Sequence, residues 1–131
     1  MSKVFVYKEK VRMYDVDSQG VVHFSDYYRF FTDCLEEFSM KLFGRVLSDL
    51  SNEIFFVTVS SQAEYHHPLH LGDLLRIEMK YDLLSRKSIR FNFKIYRENE
   101  EACEGSLVQV AVDKKTWKST EIPAWVMKKL R

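Results

Sequence analysis

Only one segment of this chain is patterned as a long helix, and that restricts the folds open to it. Over residues 25–43, Tyr27, Phe31, Leu35 (with Cys34), Phe38 and Leu42 recur every three or four positions and form an apolar stripe. Arg29, Asp33, Glu36, Glu37 and Lys41 lie mostly off that stripe, and Glu37 with Lys41 makes a favourable i,i+4 pair. Ser25 suits an N-cap, Asp26 suits a first turn, and Gly44 suits the residue just past a helix end. The flanking sequence has a different period. Residues 4–13 read as a strand, with Val4 and Val6 on one side and Phe5, Tyr7, Val11 and Met13 on the other. Residues 54–65 are rich in Ile, Phe, Val and Thr, as strands are. Leu75, Ile77, Met79 and Tyr81 alternate with Arg76, Glu78, Lys80 and Asp82, and Ile89, Phe91, Phe93 and Ile95 alternate with polar neighbours. Val108, Val110 and Val112 extend the pattern over 104–113, and Pro123 opens a short terminal helix carrying Trp125, Val126 and Leu130.

Strand, helix, then four strands with short links favour an antiparallel sheet with one apolar face. One helix must cover that face. The expected fold is α+β, a curved antiparallel sheet wrapped around one long central helix. At 131 residues with 46% hydrophobic content, the chain fits a single domain over residues 1–131. Lys+Arg 20 nearly cancels Asp+Glu 19, so no broad field draws in nucleic acid, and an acidic ligand needs a local cluster. No run approaches a membrane span, and the start has no signal-type apolar core. Cys34 and Cys103 lie far apart without a Cys-x-x-Cys pattern and read as free thiols of a reducing compartment. The expectation is a cytoplasmic protein with no stable membrane association.

The chemistry concentrates between strand and helix, in Tyr14-Asp15-Val16-Asp17-Ser18-Gln19-Gly20-Val21-Val22-His23-Phe24-Ser25-Asp26. Asp15 and Asp17, one residue apart, point opposite ways if extended geometry persists. Gly20 can take a positive φ or admit another backbone. The N–H groups at a helix start lack intrahelical acceptors and can bind the oxygen of a polarised carbonyl. A carboxylate opposite can activate water or attack directly. A thioester suits such an apparatus because its thiolate leaves readily. Taken alone, the same residues also read as ordinary turn chemistry.

Other clusters are weaker. From Asp15 to Asp26 the loop mimics a calcium-binding EF-hand, but Gln19 is a poor ligand, Asp26 replaces the bidentate Glu, and the preceding segment is strand. His66-His67-Pro68-Leu69-His70 matches no strong zinc spacing, so no metal and no cofactor is expected. His23 either hydrogen-bonds a substrate or caps the helix. Cys34 reads as core, and no Gly-x-Ser-x-Gly elbow exists. Arg86-Lys87-Ser88, with Arg90 beyond, is the best basic cluster: a solvated hairpin tip, or a clamp for the phosphates of a nucleotide-like carrier.

These residues carry a resemblance over nearly the whole chain to the hotdog-fold acyl-CoA thioesterases of the 4-hydroxybenzoyl-CoA thioesterase family. It is strongest from Val11 to Phe31, through the arginine-containing strand, Asp15-Val16-Asp17-Ser18-Gln19-Gly20-Val21-Val22 and the Asp26-Tyr27 helix start, and continues in Tyr65-x-x-Pro68-Leu69, Gly72-Asp73 and Ile122-Pro123. The resemblance implies that Asp17 is the catalytic base or nucleophile with Asp15 in support. It implies that Gly20 shapes the loop and that the Phe24 N–H polarises the thioester oxygen. Arg86, Lys87 and Ser88 fall where some relatives contact coenzyme A. Tyr27, Tyr28 and Phe31 either line an acyl or aryl pocket or belong to the core. The family implies a homodimer or homotetramer acting on acyl-CoA. Ser18-Gln19, His23 and Asp26 depart from common family residues and bear on acyl preference. Competing readings are a hotdog hydratase, an acyl-carrier-protein thioesterase, and a non-catalytic module that binds acyl-CoA or an acyl-carrier protein.

Overall fold

A computed structural model describes residues 3–131. Its elements in chain order are β1 (Phe5–Lys10), α1 (Tyr27–Phe43), β2 (Ile54–Tyr65), β3 (Leu74–Leu83), β4 (Ser88–Arg97), β5 (Glu100–Asp113) and α2 (Ala124–Leu130). The five strands form one sheet in the order β1-β3-β4-β5-β2, every neighbouring pair antiparallel. The single long helix lies on one face of it. Phe31 stacks on Phe93 at 4.8 Å, and Phe38 meets Phe91 and Tyr81. This is the α+β hotdog arrangement expected from the sequence.

The alternation in β3 and β4 works as read. Leu75, Ile77 and Met79, then Ile89, Phe91, Phe93 and Ile95, are buried under α1, while Arg76, Lys80, Arg90 and Lys94 take the outer face. In β5 the buried set differs from expectation. Leu107 and Ala111 face the helix, whereas Val108 and Val110 are half-buried on the other side. The register explains this, because Leu107 pairs with Phe91 and Gly105 with Phe93, and directly opposed residues share a face. Small residues sit where α1 comes closest. A Cβ on Gly105 would lie 2.6 Å from the Phe31 ring and 2.7 Å from the Gln62 carbonyl oxygen.

Element ends also shift. β1 stops at Lys10, and β5 begins at Glu100, earlier than the Val-rich run, because Glu98 turns the chain with a left-handed φ of 56°. The regular helix begins at Tyr27 rather than Ser25. A 3₁₀ turn at Phe24–Asp26 precedes it, and Ser25 lies within that turn. The cap is His23, whose ring Nδ1 accepts from the Ser25 N–H. At the other end Gly44 adopts φ 74° and donates to the Met40 carbonyl, the left-handed stop that glycine takes most cheaply.

Candidate active site

The loop between β1 and α1 hangs from one buried ion pair. Asp15 is 1% exposed. Its carboxylate accepts from the Arg12 N–H at 2.8 Å and from Arg29 through both Nε (2.7 Å) and Nη2 (2.5 Å), a bidentate fork. Arg29 also reaches Asp33 at 2.7 Å and Glu9 at 3.4 Å and lies over the Phe30 ring. Burial alone would lower the Arg29 pKa, but the Asp15 hydrogen bonds and charge, with Asp33 and Glu9, carry it upward, so the guanidinium stays charged. Both Asp15 oxygens are thereby occupied, which removes the first ligand of the calcium-loop reading.

Asp17 has the opposite environment. It is exposed, on a narrow hairpin closed by the Val16–Val22 bridge. Its N–H donates to the Val21 carbonyl at 2.9 Å, and its carbonyl accepts from Gly20 at 3.0 Å. Gly20 closes the turn with φ 78°, a conformation that penalises any side chain. The Asp17 Oδ1 accepts from the Gln19 N–H (2.8 Å) and the Val21 N–H (3.3 Å), leaving Oδ2 without a partner among the described residues. The hairpin is tied to the segment before β3: Val22 donates to the Leu69 carbonyl (2.8 Å) and Leu71 to the Gly20 carbonyl (3.1 Å).

Phe24 follows the Val16–Val22 bridge directly after His23. Among the described residues its N–H donates to no acceptor, while its carbonyl accepts from the Tyr65 hydroxyl at 3.0 Å. Tyr65 thus holds the Phe24–Ser25 peptide, the next plane after the one bearing the unengaged N–H, from the end of β2. His23 is exposed and stacks on Phe24 at 4.7 Å, and its ring lies 2.8 Å from the Ser25 Oγ, so in this chain it serves as the cap. Tyr27 is 3% exposed and packs edge-on against Phe30 and Tyr65, and burial pushes its hydroxyl pKa upward. It lies beneath the loop and offers a ligand almost no surface in one copy. The sequence pattern alone did not single out Arg29 or Tyr65 for these roles. The only advance signal for Arg29 was Asp33 at i+4.

Arg86, Lys87 and Ser88 sit elsewhere. They occupy the β3–β4 tip, where Arg86 faces Glu121 at 3.8 Å and the Lys87 carbonyl accepts from Ala111 at 3.0 Å. The start of β3 is beside the Asp17 loop, since Val11 donates to Asp73. The strand's ten residues then carry the chain about 30 Å to the tip at the usual rise. One copy therefore does not bring the basic cluster to Asp17. A cavity of about 580 Å³ is also remote from the loop, between β1, β3 and the ends of both helices, lined by Phe5, Phe38, Leu42, Tyr81 and Leu130.

The histidine run does not converge. His66 faces Glu104 (3.5 Å) and Glu101, His67 faces Glu100, and His70 faces Asp73. Among the described residues, Glu64, His66 and Glu104 are the one group able to present three ligand atoms within 4.8 Å, with Glu64 and His66 exposed and Glu104 half-buried. Burial pushes the Cys34 thiol up to about 12, and burial with Glu104 and Glu101 nearby does the same for Cys103. Neither is a nucleophile at neutral pH.

Comparison with known proteins gives the family from sequence and the same fold from solved structures. The profile of the Thioesterase-like superfamily matches residues 11–130. A 1,4-dihydroxy-2-naphthoyl-CoA hydrolase of Prochlorococcus marinus (strain NATL2A) is 29% identical over 132 residues, covering 91% of this chain and 84% of the relative. The crystal structure of a hypothetical protein from Aquifex aeolicus superposes with a TM-score of 0.88 at 26% identity, covering 97% of this chain and 99% of that one. A 1,4-dihydroxy-2-naphthoyl-CoA thioesterase from Synechocystis superposes with a TM-score of 0.89 at 17% identity, covering 98% and 96%.

Proposed function

The chain belongs to the thioesterase-like superfamily and is a thioester hydrolase, and from that premise we propose that it cleaves acyl- or aryl-CoA to free acid and coenzyme A, with Asp17 as base or nucleophile. The observation carrying this reading is the pairing of an exposed carboxylate, one oxygen held and one free, with an unengaged N–H at Phe24. The thioester oxygen would accept from the Phe24 N–H, and the first turn of α1 adds its positive end. Such a donor contributes roughly 10²–10³ in turnover in hydrolases. As base, Asp17 takes a proton from water as the water oxygen bonds to the carbonyl carbon. The carbon–sulfur bond then breaks, and the departing thiolate takes that proton. As nucleophile, Asp17 bonds to the carbonyl carbon, expels the thiolate, and water cleaves the resulting anhydride. Gly20 shapes the turn and His23 fixes the helix head in either course.

The same reading makes the enzyme a homodimer or homotetramer. Among the described residues β2 pairs only with β5, and Val59 on it is 60% exposed. An open edge of this length is a template for another strand. In one copy Asp17 also lies open to solvent, far along the sheet from Arg86–Ser88. A second copy supplies enclosure and brings its own tip toward the carboxylate. No described helix is long and apolar enough to cross a membrane.

The test is thiol release from a panel of acyl- and aryl-CoA thioesters. Asp17→Asn keeps the oxygen that accepts from Gln19 and Val21, so the loop stays folded while hydrolysis falls roughly 10²–10⁴-fold. Equal rates in the two proteins, with matching thermal midpoints, overturn the assignment.

A further inference from the structure

The turn after β5 holds a large aromatic side chain out in water on a rigid mount. Asp113 organises it: its Oδ1 accepts from the Lys115 N–H (2.8 Å) and the Thr116 N–H (3.0 Å), and its carbonyl accepts from the Trp117 N–H (2.8 Å). Trp117 is 73% exposed and has φ 61°. A bulky residue in the left-handed region is uncommon, and here little burial offsets the strain. The indole meets Phe55 at 71° with centroids 5.2 Å apart, which steadies the ring and leaves most of it free.

The surroundings are basic. Lys115 and Lys118 flank the indole in sequence, and among the described residues neither has a carboxylate within ion-pair distance. The β3–β4 tip is laced to this end of the sheet, with Ala111 donating to the Lys87 carbonyl and Ile122 to the Arg86 carbonyl at 2.8 Å. Val112 bridges Ser119 in the same segment. Lys87 is likewise unpaired among the described residues, and Arg86 is 85% exposed with only a 3.8 Å contact to Glu121.

We propose that Trp117 is the stacking platform for the purine of the coenzyme A nucleotide, with Arg86, Lys87, Lys115 and Lys118 receiving its phosphates. A planar π-face at an end of the sheet that also carries three unpaired lysines and the weakly paired Arg86 is the chemistry that recognises a purine bisphosphate. The inference rests on the acyl-CoA reading above and extends it to a residue outside the motif loop. The reacting end of the ligand then lies at the Asp17 loop of a neighbouring copy.

The experiment uses the full chain carrying Trp125→Phe, which leaves Trp117 as the single indole of the two in the sequence. Adenosine 3′,5′-bisphosphate is titrated against indole fluorescence, and saturable quenching is expected. In steady-state assays Trp117→Ala raises KM for an acyl-CoA about tenfold with little change in kcat. The loss is confined to the nucleotide-bearing substrate and absent with the matching S-acyl pantetheine, and Trp117→Phe restores most of it. Absence of quenching overturns the proposal. So does an equal loss on both substrates, or quenching by phosphatidylglycerol vesicles and not by the bisphosphate. If wild-type protein releases no thiol from any acyl-CoA, the catalytic reading fails, while the bisphosphate titration still decides whether the nucleotide site exists.

Discussion

Asp15 and Asp17 show how far position can separate two identical side chains. Asp15 closes a 3₁₀ turn at Met13–Asp15 and Asp17 follows it in the hairpin, so one is sealed against Arg29 and the other is left in water. The division of labour is argued from desolvation. A buried carboxylate bound twice by a guanidinium anchors the loop, and at 1% exposure it is out of a substrate's reach. Removing it leaves Arg29 partly uncompensated in a low-dielectric setting, so Asp15→Ala should cost about 3 kcal/mol in urea unfolding. An unchanged unfolding midpoint would show that Asp33 and Glu9 suffice. That Asp15 is the anchor is only partly legible in the sequence. The two acids stand out as a pair in the sequence, but the partner that buries one of them lies fourteen residues on in another element. Glu9 belongs to the same cluster. Burial alone raises its pKa, but the Lys10 N–H, the Tyr7 hydroxyl and Arg29 outweigh that and hold it below 4.5. Its contribution to stability is therefore present above about pH 4.5 and is lost as pH falls through the lower folded value.

Among the elements, β3 and β4 are read correctly because each has one apolar and one charged face, and period-2 patterning states that directly. β5 is harder. It is apolar on both sides, so the sequence does not reveal which face lies under α1. The deciding feature is steric, the close approach of Phe31 to Gly105. Gly105→Ala should accordingly destabilise by about 1–3 kcal/mol through overpacking, and Phe31→Leu in the same chain should recover part of the loss. Chemical denaturation of the single and double variants measures both. The start of α1 is displaced for a related reason. Ser25 has the chemistry of a cap, but His23 holds the turn first, and that tertiary arrangement is not visible in local propensity.

At the scale of the molecule, the chain leaves the long β2 edge of its sheet open and its proposed catalytic carboxylate exposed. Sedimentation velocity at micromolar concentration should therefore give twice or four times the 15.6 kDa chain mass. A monomer there would mean that the site works without a second copy. The motif loop is legible because its parts are neighbours in sequence. The distance between the Arg86 tip and Asp17 is not, because it follows from how β3 is laid across the sheet. The hairpin bearing Asp17 is fastened to its neighbours by main-chain bonds, from Val22 to Leu69 and from Leu71 to Gly20. The exposed side chains of Ser18, Gln19 and Phe24 take no part in that attachment. Ser18, Gln19 and Phe24 can therefore drift without unseating the carboxylate, and selection can retool what the enzyme accepts while inheriting its chemistry intact.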